Sequence, residues 1–367
     1  MKLTNYWWLL IWLFAGGAFF AAFFHKETVL VCGKPQKRWG WLPALGLMFP
    51  YWMWAMNRSW FGDTETYRKT FLAMPSSLGQ LGEYLTANTK DQGFSVFSIL
   101  LKTVIGNSDL LYFGIIAAIQ VVCMVAVFRK YSPNYWVSIF LFIMSTDYLS
   151  WMQNGMRQFL AVTLIFAGFT LLLEKRYVLL SLLILLASTI HGSALMMLPI
   201  VFIVQGKALN KKTVFTVLLM LVIVLSIDKF TPFLGELLAD TQYNDMLGNE
   251  IWAVDDGTNI LRVLVYSVPA LMAIVGKKYL DHANDPVMNI CANCSLITMG
   301  LYLIASVSSG IYIGRLPIYT TLMGYMLVPW LIQKMFTPQS ARAVNLAMVG
   351  AYFVFFYYQM HLTWGLI

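Results

Sequence analysis

Charged residues are scarce in this chain of 367 residues, where they make up 11% of the total. An ordinary soluble domain carries roughly 25% charged residues, so the composition excludes a soluble globular protein. Hydrophobic residues reach 59%, and many lie in charge-free runs. These runs approach the roughly 20 residues that cross a bilayer, so we predict an all-α polytopic membrane protein. They include Tyr6–Phe24, Leu110–Phe128, Leu160–Leu173 and Ala343–Tyr358.

Cysteine is also rare, and only Cys291 and Cys294 have the spacing of a metal-binding pair. A structural zinc site needs four ligands, and no second pair follows. We interpret these two, with Cys32 and Cys123, as small core residues rather than a metal site or a disulfide framework. The chain contains no D-x-D pair in a nucleotide-sugar context and no Gly-rich phosphate loop. The sequence therefore indicates no cofactor.

The net charge of +8 has no concentrated basic patch behind it, so we expect no nucleic-acid partner. The basic residues instead follow membrane topology. Five loops after residue 128 hold 11 Lys or Arg on one face, and the loop 25–38 adds four more. The opposite downstream face holds only Arg157, Lys229, Arg262 and Arg315. We predict that the first face is cytoplasmic and that the N-terminus lies outside.

Apolar periodicity predicts about 12 transmembrane helices in a single integral membrane domain, 1–367. The apolar segment 93–107 is too short to span and is predicted to be a re-entrant or interfacial helix. Lys2 is the only basic residue before the first helix, and the apolar stretch of this helix is too long for a cleavable signal peptide. Segments of about 57–107 and 228–259 are expected to be extracytoplasmic. The predicted spans are 6–24, 39–56, 109–128, 135–151, 159–173, 177–190, 193–205, 213–227, 260–276, 287–307, 317–333 and 343–361.

Polar side chains stand at the mouth of one apolar run. Asn154, Arg157 and Gln158 are spaced three and four apart, so we expect them on one face of a helix. A single boundary arginine is also explained by snorkelling to the interface. Three further polar groups are predicted on the same outer side, with Arg262 as a weaker fourth. They are Arg58, Asp63 and Tyr67; His191; and Tyr312, Arg315 and Tyr319.

These groups suggest an anion site with a base beside it. The arginine fork matches phosphate geometry, and several forks at one membrane edge would bind two phosphoryl units. His191 suits proton transfer near neutral pH, and Asp63 is the second candidate base. An ordinary loop around Asp63, a turn histidine and a helix-boundary arginine at Arg315 are the alternatives for single members.

The order of these motifs resembles a known family. "NGMRQFLA" at 154–161 precedes "IHGSA" at 190–194, with "R-x3-G-D-T-x2-Y" upstream and "GRLPIY" at 314–319 downstream. The pattern resembles the EpsG-like, Wzy-type polysaccharide polymerases from about residue 50 to 330. The resemblance implies a GT-C-like, metal-independent glycosyltransferase. Its catalytic residues would be His191, Asp63, Arg157 and Arg315, and its substrate-binding residues would be Arg58, Tyr67, Asn154, Gln158, Arg262, Tyr312 and Tyr319.

The resemblance also implies a reaction. A growing glycan would move from undecaprenyl pyrophosphate to a hydroxyl of a new lipid-linked repeat unit, at a site facing the periplasm or exterior of the bacterial cytoplasmic (inner) membrane. Its partners would be the lipid-linked repeat units and the bilayer, with a chain-length regulator as a further candidate. A transporter or flippase of lipid-linked sugar, a membrane acyltransferase and an O-antigen ligase are the alternatives. Transporters often contain internal repeats, and no such repeat is visible in this sequence.

Overall fold

The computed structural model describes residues 6–58, 62–226, 257–308, 310 and 313–365. The chain forms two compact units, Met1–Leu198 with Phe336–Ile367, and Pro199–Met335. Short apolar helices dominate the first unit. In chain order its first ten helices are α1 Tyr6–Phe23, α2 Trp41–Met56, α3 Thr64–Ala73, α4 Leu81–Ala87, α5 Gln92–Ile105, α6 Asp109–Tyr131, α7 Tyr135–Met144, α8 Met156–Ala167, α9 Phe169–Leu173 and α10 Tyr177–Ile190.

Helix α6 is the longest of these ten, with 23 residues. At about 1.5 Å per residue it extends roughly 34 Å, enough to cross a bilayer core of about 30 Å. Ser108 caps its first turn by accepting the backbone N–H of Leu111. α6 packs against α2, α5 and α8. The positions of the other elements of the first unit are therefore described relative to the N-terminal and C-terminal ends of α6.

A β-hairpin, absent from the sequence prediction, connects α1 and α2. Its strands, β1 Glu27–Val31 and β2 Lys34–Arg38, pair antiparallel around Cys32 and Gly33, which both have positive φ as a tight hairpin turn requires. Arg38 Nε donates to the carbonyl of Lys130 at 3.1 Å, and Arg129 pairs with Glu27 at 3.3 Å. The basic hairpin thus lies at the C-terminal end of α6.

The predicted helix 135–151 is interrupted in the structure. α7 ends at Met144, Thr146 adopts a left-handed backbone conformation (φ 68°), and Tyr148–Asn154 forms π-helical turns. π-helical turns are rare in proteins, and those that occur are often found at functional sites. The predicted helix 159–173 begins three residues earlier, at Met156, and divides at Gly168 into α8 and α9. Arg157 and Gln158 consequently lie in the first turn of α8.

The second unit is built around one buried helix. The remaining helices are α11 Met197–Ile203, α12 Lys211–Leu225, α13 Ile260–Val275, α14 Lys277–Ala283, α15 Pro286–Ser306, α16 Ile318–Met335 and α17 Pro338–Tyr357, of which α17 belongs to the first unit. Within the second unit α15 packs against α12, α13 and α16, and 89% of its most apolar 18-residue stretch is buried. Asn293 on α15 binds three backbone groups of the 204–209 turn, at 2.8 to 3.0 Å.

Within the described ranges, four helical segments are long and apolar enough to cross a membrane. α13 and α14, bent by 63°, would supply a fifth if they form one span. The predicted all-α membrane protein is therefore confirmed, and the described residues add a small β-hairpin that was not predicted. The prediction of twelve spans, the GT-C-like arrangement and the single integral domain stay predictions. The four segments are Tyr6–Phe23, Asp109–Tyr131, Pro286–Ser306 and Pro338–Thr363.

The predicted short helix at 93–107 is present as α5, with 14 residues. Its N-terminus packs on the C-terminal end of α10, since a Cβ added at Gly93 would lie 2.0 Å from Thr189 Oγ1. α3 and α4, which precede it, were not predicted. The predicted extracytoplasmic segment 228–259 lies almost wholly outside the described residues, as does Tyr312.

Candidate functional site

The loop that precedes α3 is joined to the end of the π-helical turns. The backbone N–H of Asp63 donates to Asn154 Oδ1 at 3.1 Å. Gly62 has a φ of +56°, and a Cβ there would lie 2.3 Å from the same oxygen. Only glycine meets both the backbone conformation and the close approach. The Asp63 side chain remains exposed beside this contact.

Arg58 lies deeper, at the end of α2, and is only 4% exposed. Its Nε donates to the carbonyl of Ala55 and its Nη1 to that of Gln153, both at 3.0 Å. The guanidinium also stacks over the Phe113 ring at 4.3 Å. Burial lowers the pKa of Arg58 to about 10, so the side chain is charged at neutral pH. Arg58 thereby ties α2 to the π-helical turns next to Asn154.

Arg157 pairs with a carboxylate that the sequence analysis missed. Its Nη1 lies 3.2 Å from Oδ2 of Asp91, whose side chain is only 7% exposed. The other oxygen, Oδ1, accepts the backbone N–H of Gly192 at 3.2 Å. The Arg157 guanidinium lies 5.8 Å from the centre of the Phe94 ring, and its buried Nε has no hydrogen-bond partner among the described residues. One nitrogen of the fork is therefore held while another is unoccupied.

His191 is connected to α8 through Ser193. His191 Nδ1 and Ser193 Oγ are 2.7 Å apart, and Gln158 Nε2 donates to the same Oγ at 3.4 Å. His191 has an extended backbone and precedes a short 3₁₀ turn, Gly192–Met196. The ring is half-buried, so Nδ1 is engaged while the ring still reaches the surface. This geometry fixes the orientation of the imidazole, which a base needs.

Helix α3 places Tyr67 and Arg68 near the N-terminal end of α6. The Tyr67 ring lies 6.4 Å from that of Phe94, edge to face. Arg68 pairs with Asp109, the first residue of α6, at 2.5 Å, and with Glu65 at 2.7 Å. The hydrogen bond from Arg68 to Asp109 raises the pKa of the guanidinium above its ordinary value. α3 is thus held at the end of α6 opposite the β-hairpin.

The C-terminus of α3 is held by a buried lysine of α5. Lys102 is 2% exposed, and its Nζ donates to the carbonyls of Phe71, Leu72 and Met74 at 3.0, 2.7 and 2.6 Å. The last carbonyls of a helix have no partner within it and carry the negative end of its dipole. The ammonium satisfies both requirements and fixes α3 to α5.

Seven predicted site residues therefore belong to one network in the first unit, which we call the polar cluster. Direct contacts and chain neighbours link α2, α3, α5, the π-helical turns, α8 and the 191–193 turn. The expectation that Asn154, Arg157 and Gln158 share one helix face is wrong, because Gly155 separates Asn154 from α8 and each side chain contacts a different segment. The seven are Arg58, Asp63, Tyr67, Asn154, Arg157, Gln158 and His191.

The other predicted residues belong to the second unit. Arg262 lies in the first turn of α13, with its guanidinium 5.5 Å from the Tyr266 ring. Arg315 is exposed at the end of a 3₁₀ turn, and Tyr319 is buried in the first turn of α16. The assignment of Arg262, Arg315 and Tyr319 to substrate binding stays a prediction.

Asp91, Ser193 and Phe94 are the participants that sequence reasoning missed. Asp91 occupies the position before α5, where a short polar residue is ordinarily explained as a helix cap. In the structure its side chain does not cap α5 and instead reaches Arg157 and Gly192. The one available signal was an acid two residues before the predicted helix 93–107, and nothing local distinguishes it from a cap.

Comparison with known proteins yields one family. A family model described as the EpsG family matches residues 42–364, a range that includes the whole polar cluster. No curated protein and no solved structure matches the chain.

Proposed function

The chain belongs to the EpsG family, and from that premise we propose that it polymerises a surface polysaccharide by transferring a growing glycan between lipid-linked intermediates. The donor is the glycan on undecaprenyl pyrophosphate, and the acceptor is a hydroxyl of a new lipid-linked repeat unit. The observation that carries the proposal is the polar cluster, in which Arg157 and His191 are attached to one another through Asp91, Gly192, Ser193 and Gln158. A phosphate-binding group and a base are thereby supplied together.

The leaving group is the lipid diphosphate, and Arg157 is its proposed partner. As the C1–O bond to the phosphate breaks, the electron pair and the negative charge pass to that oxygen. Arg157 faces it from the first turn of α8, where the positive end of the helix dipole adds to the charge of the guanidinium. A cation is otherwise unfavourable at this end of a helix. Preorganised donors of this kind are often worth 100-fold or more in rate.

The acceptor hydroxyl loses its proton as its oxygen forms the new bond to C1. His191 is the proposed base, with the proton taken by Nε2 while Nδ1 stays on Ser193. A positioned base typically contributes 10²–10⁴-fold. Asp63, exposed next to Asn154, is the second candidate. Asn154 and Gln158 orient the substrate, Tyr67 offers an aromatic face to a sugar, and no step requires a metal ion.

The polar cluster is proposed to face the periplasm or exterior of the bacterial inner membrane. The polar cluster lies near the end of α6 that contacts α3. The β-hairpin and Arg129 lie at the opposite end of α6. The hairpin side holds an excess of Lys and Arg, which favours the cytoplasm. Impermeant maleimide should label Lys69→Cys from outside intact cells and Lys37→Cys only after lysis, both in a cysteine-depleted background. The reverse pattern would reject this orientation.

The reaction is tested with purified protein and one lipid-linked repeat unit in detergent. A ladder of products identifies a polymerase, one transfer to a distinct lipid acceptor identifies a ligase, and no covalent change indicates a transporter. Arg157→Ala should abolish elongation and His191→Ala should slow it strongly. Arg176→Ala, an exposed arginine paired with Glu174, is the control and should leave the ladder intact. Long polymer from both site variants at normal expression would defeat the assignments.

A further inference from the structure

We propose that Asp91 is the positioning residue of this site, holding Arg157 and the His191 turn at a fixed separation. The inference rests on the proposed function for the roles of Arg157 and His191 and adds a residue that neither the family match nor the motifs assign. It starts from the two oxygens of one carboxylate. Oδ2 binds Arg157 Nη1 and Oδ1 binds the Gly192 N–H, each at 3.2 Å.

These contacts close a ring. Asp91 binds Arg157, the next residue Gln158 binds Ser193, and Gly192 next to Ser193 binds Asp91 again. Three elements, α5, α8 and the 191–193 turn, are thereby tied to each other. Without Asp91 the ring loses both of its 3.2 Å contacts and keeps the one from Gln158 to Ser193, which at 3.4 Å is its longest. The separation of Arg157 from His191 would then be held less tightly.

The backbone at Asp91 supports a dedicated role. Its φ of 52° and ψ of 46° are left-handed, a conformation that is uncommon for residues with a Cβ, although Asp adopts it more often than most. Such conformations persist where surrounding contacts over-determine them, and they cluster at functional sites. Here the conformation directs the side chain away from α5 and towards Arg157. The side chain is also nearly withdrawn from water, so its ion pair is little screened.

The arrangement leaves the arginine available to a substrate. Asp91 engages Nη1, and the Arg157 side chain keeps 29% of its surface exposed. The exposed part of a guanidinium can bind a phosphate oxygen while Nη1 keeps its carboxylate. Asp91 therefore orients the fork without covering the part of it that reaches the surface.

Asp91→Asn is the informative variant. Asparagine tolerates the left-handed backbone, so the local fold is retained. Arg157 and Gly192 use different oxygens of Asp91, so the NH₂ group of asparagine would face one of these two donors, and asparagine carries no charge. We expect kcat in the ladder assay to fall about 100-fold, as for a misplaced catalytic group, with KM changed less than about threefold because the Arg157 charge is still present. Asp281→Asn, in an exposed pair with Lys277, is the matched control and should change neither.

A thermal-stability cycle in detergent separates positioning from a purely structural role. Arg157→Ala leaves the Asp91 carboxylate buried without its partner, which is costly. Adding Asp91→Asn to that variant should raise the melting temperature, whereas Asp91→Asn in the wild-type background should lower it or leave it unchanged. An equal decrease in both backgrounds, or a rise of KM at constant kcat, would overturn the proposal.

A third measurement does not depend on polymerase activity. Farnesyl diphosphate serves as the probe in a binding titration with wild type, Asp91→Asn and Arg157→Ala. We expect Asp91→Asn to bind within about threefold of wild type and Arg157→Ala to lose binding, because the charge of Arg157 supplies the affinity. Wild type that binds this probe but makes no ladder refutes the polymerase and leaves the Asp91 assignment intact. Loss of binding in Asp91→Asn equal to that in Arg157→Ala would overturn it.

Discussion

Replacing Lys102 by Met removes the group that holds the C-terminus of α3. Methionine keeps the length of the side chain but not its charge or donors, so three carbonyls that accept from Nζ at 2.6 to 3.0 Å lose their partner. A hydrogen bond to a charged group is worth roughly 1.5–3 kcal/mol, but the variant also removes a buried ammonium that is costly to desolvate. We expect a net loss of about 3 kcal/mol, confined to α3 and its junction with α5.

The measurement is hydrogen–deuterium exchange on peptides of residues 64–74 in detergent. A loss of about 3 kcal/mol increases the open population of the segment roughly 100-fold, so amides of α3 should exchange about that much faster. Lys69→Met, a substitution on α3 itself, is the matched control. Its side chain is 76% exposed and lies 3.9 Å from Glu65, so exchange should be little changed. Equal exchange in Lys102→Met and Lys69→Met would refute the reasoning.

Three further changes test contacts of the fold. Gly62→Ala should lower the rate of elongation at least tenfold, because its Cβ would displace Asn154; a kinetic assay of the ladder checks this, and a normal rate would contradict the packing. Gly93→Ala should lower the melting temperature by several degrees, since its Cβ would collide with Thr189 in a contact between α5 and α10. Asn293→Leu should cost about 3 kcal/mol of stability by leaving three backbone groups unpaired, measured by thermal unfolding; Asn289→Leu, which would remove one contact, is the milder comparison.

Elements with a strong local signal were predicted well. α10 has the bounds predicted for it, 177–190, and α1, α5 and α15 agree within two residues at each end. Apolar periodicity and charge-free length suffice for such helices. A charge or amide next to an apolar run is unusual, and this feature singled out the seven predicted residues that lie in the polar cluster. It also singled out Arg262, Arg315 and Tyr319, which lie in the second unit, and the roles assigned to all of these residues stay predictions.

Features that depend on distant contacts were not predicted. The β-hairpin 27–38 depends on its docking to the end of α6, and the break at Thr146 on backbone strain that no local pattern reveals. Asp91 has its partners 66 and 101 residues away, at Arg157 and Gly192. A sequence read locally classifies it as a cap. Lys102 likewise appears as the single charge of an amphipathic helix, whereas its acceptors lie on α3.

The π-helical turns before α8 make this part of the chain sensitive to its length. An α-helix advances about 100° per residue, so one residue fewer between Tyr148 and Asn154 would rotate everything after it by roughly that angle. The guanidinium at 157 would then turn away from α5 although every amino acid of the motif remained. Substitutions in this stretch change packing, whereas a one-codon insertion or deletion would change which wall of the site the arginine belongs to.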